Sequence, residues 1–471
     1  MTTFRYNFAL PAIAAAMMIA TAGCSAVKQC REPQLNLPEK IVASESDSMS
    51  LADIEWFEFY SDPMLKEILT ATLENNRDFM GAAARVDQLR ELYGAAKTDL
   101  LPQISATVYG NQETNNYHDE SHTTDPEYGI KATLSWEADL WGNLRWNKRR
   151  QQATYLAGVE DMRAMQMTLI AEAASAYYRL VALDNEIAIV KRTLSTRSEE
   201  LEKAKLRYQG GLTSEIVYLQ AQVEYNTALS LIPGLERQIE VTESALNLLM
   251  GRYPGNKIER TRAILEPLAE RNIPVGLPSE LLTRRPDLRG SEMKLRQAMA
   301  AVGVAYTDRF PRLTFTLTGG LEDNDIEHIL KSPFTFVGGA LVGPIVDFGK
   351  RKKKYRAALA AYDEARLAYE QDVLTAFKEV NDAATAYRKN RQATEAKSKL
   401  HAAAERYMEL AHLQYRGGSI NYLDVLDAQR RFLDAEIGLT NAIRDEMLSL
   451  VTLYKSLGGG WNRLHLQESG H

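Results

Sequence analysis

Cysteine is nearly missing from this chain, with two among 471 residues. A disulfide framework is therefore excluded as the source of stability, and a chain of this length can bury a large core without one. Charge imbalance is missing too: 56 Lys and Arg stand against 62 Asp and Glu, a net charge of −6, which gives no electrostatic reason to bind nucleic acid. At 45% apolar and 25% charged, the composition fits neither a disordered chain nor a multi-span helical membrane protein. Chemistry is sparse as well. There is no phosphate-binding glycine loop, no paired-cysteine or zinc-type histidine spacing and no nucleophile motif, so no enzyme, catalytic residue, metal or cofactor is expected. His118 and His122 are four apart, but they lie among Asn115, Asn116, Asp119 and Glu120 in what reads as a loop between strands, without evident further ligands.

What is present begins with a leader. MTTFRYNFALPAIAAAMMIATAGC carries one basic residue, Arg5, then an apolar stretch from Phe8 to Ala20 and small residues before Cys24. That order predicts a signal peptide over 1–23, hence export. Thr21-Ala22-Gly23-Cys24 resembles the bacterial lipobox, with Thr21 where Leu is usual, and Ser25 resembles the outer-membrane sorting choice. Cys24 is then the expected lipidation site, its covalent lipid the only attached group, and 24–63 a lipid-anchored segment. The alternative is an uncleaved anchor, because Tyr6 to Val27 is 22 residues without a charge.

The remainder is written twice. LRYQGGLTSEIVYLQAQ at 206–222 and LQYRGGSINYLDVLDAQ at 413–429 share seven of 17 positions at an offset of 207. Asp139 and Gly142 answer Asp347 and Gly349, and Pro102 answers Pro311, at nearly that offset. Such a period excludes a short-repeat solenoid. The first repeat is expected over 64–250, with a helix to about 99, strands at 102–114 and 127–139, a long helix at 145–208, a hairpin and a helix at 214–249. The second is expected over 279–457, with a helix to about 308, strands at 311–319 and 332–346, a long helix at 350–415, a hairpin and a helix at 420–456. A linker covers 251–278 and a tail 458–471.

Periodicity supports these elements. Tyr128, Ile130, Ala132, Leu134, Trp136 and Ala138 alternate with Glu127, Lys131, Thr133, Ser135 and Glu137. The long helical stretches contain no proline, and at 1.5 Å per residue each would extend about 95 to 100 Å. Ala173, Leu180, Ile187, Leu194 and Leu201 recur every seven residues, and Tyr218, Tyr225, Ile232, Ile239 and Leu246 answer them, as coiled-coil seams do. Gly210-Gly211 and Gly417-Gly418 interrupt the pattern and predict tight hairpin ends. Pro233 is expected to kink the return helix.

A strand greasy on one face and polar on the other suits a barrel wall between lipid and water, although a soluble half-buried strand alternates too. The strand count weighs more. A membrane sheet must close, closure takes eight or more strands, and four per chain cannot do it alone. The wall would be shared among several copies, with the long helices gathered into a tube.

GLPSELLTRRPDL at 276–288, LSWEADLWGNLR at 134–145, DFGK at 347–350 and Trp56 with SDPML at 61–65 together resemble the TolC family of outer-membrane channels, in the lipoprotein branch serving tripartite RND efflux pumps. The resemblance covers nearly the whole chain after the leader. It implies a mainly α fold with β, as a trimeric α/β barrel: a homotrimer placing four strands per chain in a shared 12-stranded β-barrel, continued by a coiled-coil helical tunnel with a belt that includes the 251–278 linker. It implies a cell outer-membrane location extending into the periplasm of a Gram-negative bacterium. The implied partners are a periplasmic adaptor (membrane fusion) protein, an inner-membrane RND pump and outer-membrane lipids, the implied role a passive exit duct. A protein-secretion duct of the same shape, or a periplasmic coiled-coil scaffold, are the alternatives.

Candidate site residues follow. Asp424 and Asp427, three apart after the second hairpin, share a helix side and would ring the axis of a trimer with carboxylates. The family's acidic gate residues match them through LDVLDAQ, and its gate tyrosine matches Tyr415. Ile420 stands where the archetype has a basic latch residue, and Arg416 is the substitute considered. Support of the helix N-terminus is the plainer reading of the aspartates. The hairpin glycines Gly210, Gly211, Gly417 and Gly418 mark the expected adaptor contact, or simple turn chemistry. Arg145, Lys148, Arg149 and Arg150, with Lys352, Lys353 and Lys354, lie at helix N-termini where positive charge opposes the dipole. Contact with lipid headgroups is the expected reason, a solvated face the alternative.

Overall fold

The structure, a computed structural model, describes residues 27–35, 37, 50–115, 118, 123–261 and 278–461. The expected signal peptide, Cys24, His122, most of the 251–278 linker and the end of the tail lie outside the described residues.

In chain order, helices α1 (Trp56–Phe59), α2 (Pro63–Asn75) and α3 (Arg77–Thr98) precede strands β1 (Gln103–Asn115) and β2 (Thr123–Ala138). Helices α4 (Asn143–Gln209), α5 (Glu215–Leu249), α6 (Pro278–Arg284) and α7 (Pro286–Thr307) lead to β3 (Arg312–Asp323) and β4 (Pro333–Val342). Helices α8 (Lys350–Arg416) and α9 (Tyr422–Ser456) complete the chain. The four strands form one antiparallel sheet in the order β1-β2-β3-β4, leaving β1 and β4 as edges. No described helix is long and apolar enough to cross a membrane.

The duplication is visible in element lengths. Helices α4 and α8 each have 67 residues, α5 and α9 each 35, and α3 and α7 each 22. Glycines at the same places in the two repeats take positive φ: Gly142 and Gly349 before the long helices, Gly211 and Gly418 at the tips, Gly251 and Gly458 after the return helices. Tight packing explains the last pair. A Cβ on Gly251 would lie 2.3 Å from the Asn75 carbonyl oxygen, and one on Gly458 would lie 3.2 Å from that of Arg284. Beside these contacts, Asn76 donates to the Leu249 carbonyl at 2.9 Å and Arg285 to the Ser456 carbonyl at 3.1 Å, serving the last carbonyls of the two return helices in the same way.

Several boundaries differ from the sequence expectation. The helices expected at 64–99 and 279–308 are each two helices. Asn76 leaves helical geometry at ψ 123°, and Pro286 cannot donate to continue α6. Strand β2 begins four residues early because Thr123 still pairs with Asn115, and β3 runs on to Asp323 opposite Tyr128. The strand expected at 332–346 stops at Val342, since β4 pairs only with β3 and that ladder starts at Arg312. Helix α9 starts at Tyr422 rather than 420 because Asn421 caps it. Pro233 lies inside α5, which runs to Leu249 as expected.

Contacts divide the chain into two units. One holds the sheet, residues 85–159 and 290–371, with a small cluster in which Trp146 packs on Ala300, Val304 and Tyr306. The other holds the hairpin ends and a larger core. In it Leu65, Leu69, Ala173, Tyr177, Leu180 and Leu246 are buried together, and Tyr177 donates a 2.6 Å hydrogen bond to Asp62. The seven-residue seams meet here, with Ile187 of α4 and Ile232 and Ile239 of α5 packed against Leu183, Val190 and Leu235.

Candidate functional site

The sheet is two-faced, and the ladder registers fix the faces. The rungs Ile104↔Leu134 and Leu134↔Leu317, with Leu313↔Leu341, carry one apolar face across all four strands. Ile130, Trp136 and Phe315 lie on it exposed, and the Trp136 and Phe315 rings stack at 6.1 Å. The other face carries Thr107, Lys131, Thr133, Ser135, Thr316 and Thr318 on β1 to β3, and Phe334, Phe336 and Val342 on β4. The Thr133 and Thr318 hydroxyls hydrogen-bond at 3.1 Å, and the Tyr109 hydroxyl donates to Glu322 at 2.5 Å across Gly129. The apolar side suits hydrocarbon and the polar side water. The Tyr109–Glu322 bridge was not singled out in the sequence, because its partners are 213 residues apart and meet only through the β2·β3 register.

The basic clusters follow acidic caps. Asp139 accepts from the Leu144 and Arg145 amides, each at 3.0 Å, and Asp347 accepts from the Gly349 and Arg351 amides. A carboxylate thus meets each helix N-terminus, which offsets the positive charge that follows. Arg145 is tied to Asp139 at 3.0 Å, Arg149 lies over the Trp146 ring at 4.7 Å, and Arg150 donates to Asn147. Lys148 is half-buried, while Lys352, Lys353 and Lys354 are exposed.

At the hairpin ends the two repeats close alike. Gly210 and Gly417 donate to Leu206 and Leu413, and Leu212 and Ser419 donate back to Arg207 and Gln414. Gly211 and Gly418 take φ of 71° and 74°, the left-handed geometry that ends a helix with its last carbonyls satisfied. Tyr415 accepts from Arg207 at 3.5 Å, which joins the two tips, and its ring lies 5.8 Å from that of Tyr422. Arg416 is exposed and Ile420 half-buried.

Asp424 and Asp427 do not have equal roles. Asp424 closes a capping box with Asn421, accepting from its amide at 3.1 Å. Asp427 accepts from Arg431 at 2.7 Å and from the Tyr407 hydroxyl at 3.5 Å. The Arg431 hydrogen bond holds its carboxyl below the usual carboxylate range.

A buried ionic cluster near these tips escaped the sequence reading. Glu224 of α5 meets Arg197 of α4 at 2.6 Å and Arg430 of α9 at 2.7 Å, with the Glu224 and Arg197 side chains 5% and 4% exposed. Beside it Gln429 donates to Glu200 at 2.7 Å and lies 3.2 Å from the His412 ring nitrogen. Burial pushes the Tyr422 phenol above its ordinary value, and Glu200 adds to the shift. Glu224 occupies a polar slot between Ala221 and Ala228, the only hint in the sequence that it faces inward. Among the described residues no group of three His, Cys, Asp or Glu could hold a metal ion, and His118 is exposed.

Comparison with known proteins agrees with this geometry. The family described as outer membrane efflux protein matches residues 68–252 and 277–459. The solvent efflux pump outer membrane protein SrpC of Pseudomonas putida is 31% identical over 455 residues, covering 93% of this chain and 96% of its own. The toluene efflux pump outer membrane protein TtgC of Pseudomonas putida is 29% identical, covering 93% of both chains. Among solved structures, the outer-membrane channel OprN superposes with a TM-score of 0.84 at 27% identity, covering 92% of this chain and 99% of its own. The chain belongs to the outer membrane efflux protein family.

Proposed function

We propose that this outer-membrane efflux protein works as a passive exit duct, assembled from three copies and opened by a periplasmic adaptor together with an inner-membrane pump. The observation that carries the reading is the four-stranded sheet, apolar on one face, polar over β1 to β3 on the other, with β1 and β4 each paired on one side only among the described residues. Such a sheet satisfies neither its face nor its edges in a single copy, and hydrocarbon forbids an open edge. A helical lining and a polar wall offer no chemistry for turnover. Cargo is therefore chosen upstream, and the solvents named for the Pseudomonas relatives make small toxic organic molecules the first class to try.

In this reading Cys24 carries the lipid, and the two basic clusters contact anionic headgroups. Asp424 and Asp427 form an acidic constriction with Tyr415 and Arg416, and the glycine tips meet the adaptor. Deleting the chain should raise susceptibility to toluene and to several unrelated antibiotics together, and the purified protein should conduct ions in a planar bilayer. Asp424→Ala with Asp427→Ala should raise single-channel conductance. Cysteines replacing Thr213 and Ser419 should capture the adaptor in cells. A protein without conductance, whose loss changes no susceptibility, would refute the duct.

A further inference from the structure

The two repeats carry information about a contact that one chain cannot make with itself. Inside the chain, the second strand of the first repeat, β2, pairs with the first strand of the second, β3. The same junction, second strand to first strand, is open once more, between β4 and β1, which lie at opposite edges of the sheet. Only another copy can supply it. The β2·β3 ladder is therefore a template for the seam between copies.

Numbering transfers the template. From Gly142 and Asn143 to Gly349 and Lys350 the repeats are 207 apart, and from Thr98 and Gln103 to Thr307 and Arg312 they are 209 apart. The first offset carries Leu134 to Leu341 and the second carries Val108 to Leu317, so the rung Leu134↔Leu317 becomes Leu341↔Val108. Likewise Ser135↔Thr316 becomes Val342↔Thr107, and Ala138↔Leu313 becomes Ile345↔Ile104. We propose that β4 of one copy pairs antiparallel with β1 of a second copy of this chain in the register that sets Leu341 opposite Val108. This deepens the shared-barrel reading and rests on it.

Three observations on separate residues agree with this register. The rung Leu341↔Val108 keeps the faces, since both residues fall on the apolar side of their own ladders, and a slip of one residue would set Leu341 against Thr107 or Tyr109. The register also gives further neighbours to exposed side chains at the two edges, since Ile345 is 98% exposed and Ile104 and Val108, each paired on one side only, are 76% exposed. Beyond the strands, Trp141 stacks on Phe310 at 4.8 Å and donates to the Pro311 carbonyl at 2.8 Å. Their counterparts are Phe348, Leu101 and Pro102. Phe348 is 95% exposed and is the only described non-glycine residue with positive φ, at 49°. A bulky residue held there in solvent is strain without return; packed on Leu101 of the next copy, it repeats the Trp141 contact and closes the seam's end.

Disulfide trapping in the full-length protein, in cells, tests this, with Cys24 kept and Cys30→Ser as background. Facing Cα atoms in a ladder are about 4.5–5.5 Å apart, against about 7–8 Å for diagonal neighbours, beyond the usual disulfide span. Leu341→Cys with Val108→Cys, and on the other face Val342→Cys with Thr107→Cys, should each give a covalent trimer on a non-reducing gel. Leu341→Cys with Ala106→Cys, and Gly339→Cys with Val108→Cys, should give at least about fivefold less, given those separations. Phe348→Cys with Leu101→Cys lies outside the strands and should also crosslink, which keeps the test alive if a strand variant fails to reach the membrane. Stronger trapping by the displaced pairs would overturn the register and leave the shared barrel standing. No intermolecular bond from any pair, in protein that reaches the outer membrane, would overturn both.

Discussion

Glu224 holds two arginines of different helices, and one of them, Arg197, is as buried as Glu224 itself. Removing the carboxylate leaves a guanidinium uncompensated in the interior, which costs about 3–5 kcal/mol, whereas replacing a buried pair by apolar groups of similar volume is often neutral. Glu224→Ala should therefore lower the thermal unfolding midpoint followed by circular dichroism, and Arg197→Met with Glu224→Leu should recover most of the loss. Asp427 makes a separate prediction through pH. Its folded carboxyl titrates below the unfolded value, so the stabilising pair with Arg431 is complete above about pH 4 and is lost as pH falls through the depressed value. Reversal potentials in a salt gradient should accordingly show cation selectivity that survives mild acidification and fades only below about pH 4. Arg431→Ala should move that loss to higher pH. Asp427 could be singled out from spacing alone because it lies three residues after Asp424 on one helix. That Asp424 is a capping residue could have been read from Asn421 three residues before it. The Glu224 cluster could not, since it joins three helices that are remote in sequence.

Elements were legible where a period runs long. The 67-residue helices and their seams follow from proline-free heptads, and the 35-residue return helices from the glycines before them. Strand ends were less legible because pairing, not pattern, decides them: Thr123 belongs to β2 through Asn115, and residues 343–346 leave β4 for want of a partner. The breaks at Asn76 and Arg285 were missed because helical periodicity resumes at once in α3 and α7. Glycines at helix ends give a graded test. Gly211 at its tip has open space where a Cβ would be, so Gly211→Ala costs only the left-handed backbone, about 1–2 kcal/mol. Gly251→Ala adds a carbonyl oxygen 2.3 Å from the new Cβ and should cost distinctly more, read as a larger fall in the unfolding midpoint. Equal effects would mean that the α5 end can move away from Asn75.

For the molecule in its membrane, the deciding feature is which face of the sheet meets lipid, and the duplication alone leaves that open, because both repeats alternate in the same way. The registers bear on it by collecting Ile104, Ile130, Leu134, Leu317 and Leu341 on one side and Thr107, Thr133, Thr316 and Thr318 on the other. A lysine on the lipid face near the bilayer midplane costs about 2–4 kcal/mol, while a lysine facing water is tolerated and changes the field that ions meet. Leu317→Lys and Thr316→Lys are adjacent in β3, so they differ in face and hardly in depth. Leu317→Lys should reduce the amount of folded, heat-modifiable oligomer in the outer membrane. Thr316→Lys should leave that amount unchanged and shift the reversal potential toward anions. The opposite pattern would turn the sheet inside out and place its apolar side on the water-filled path, and with it the duct as described would fail.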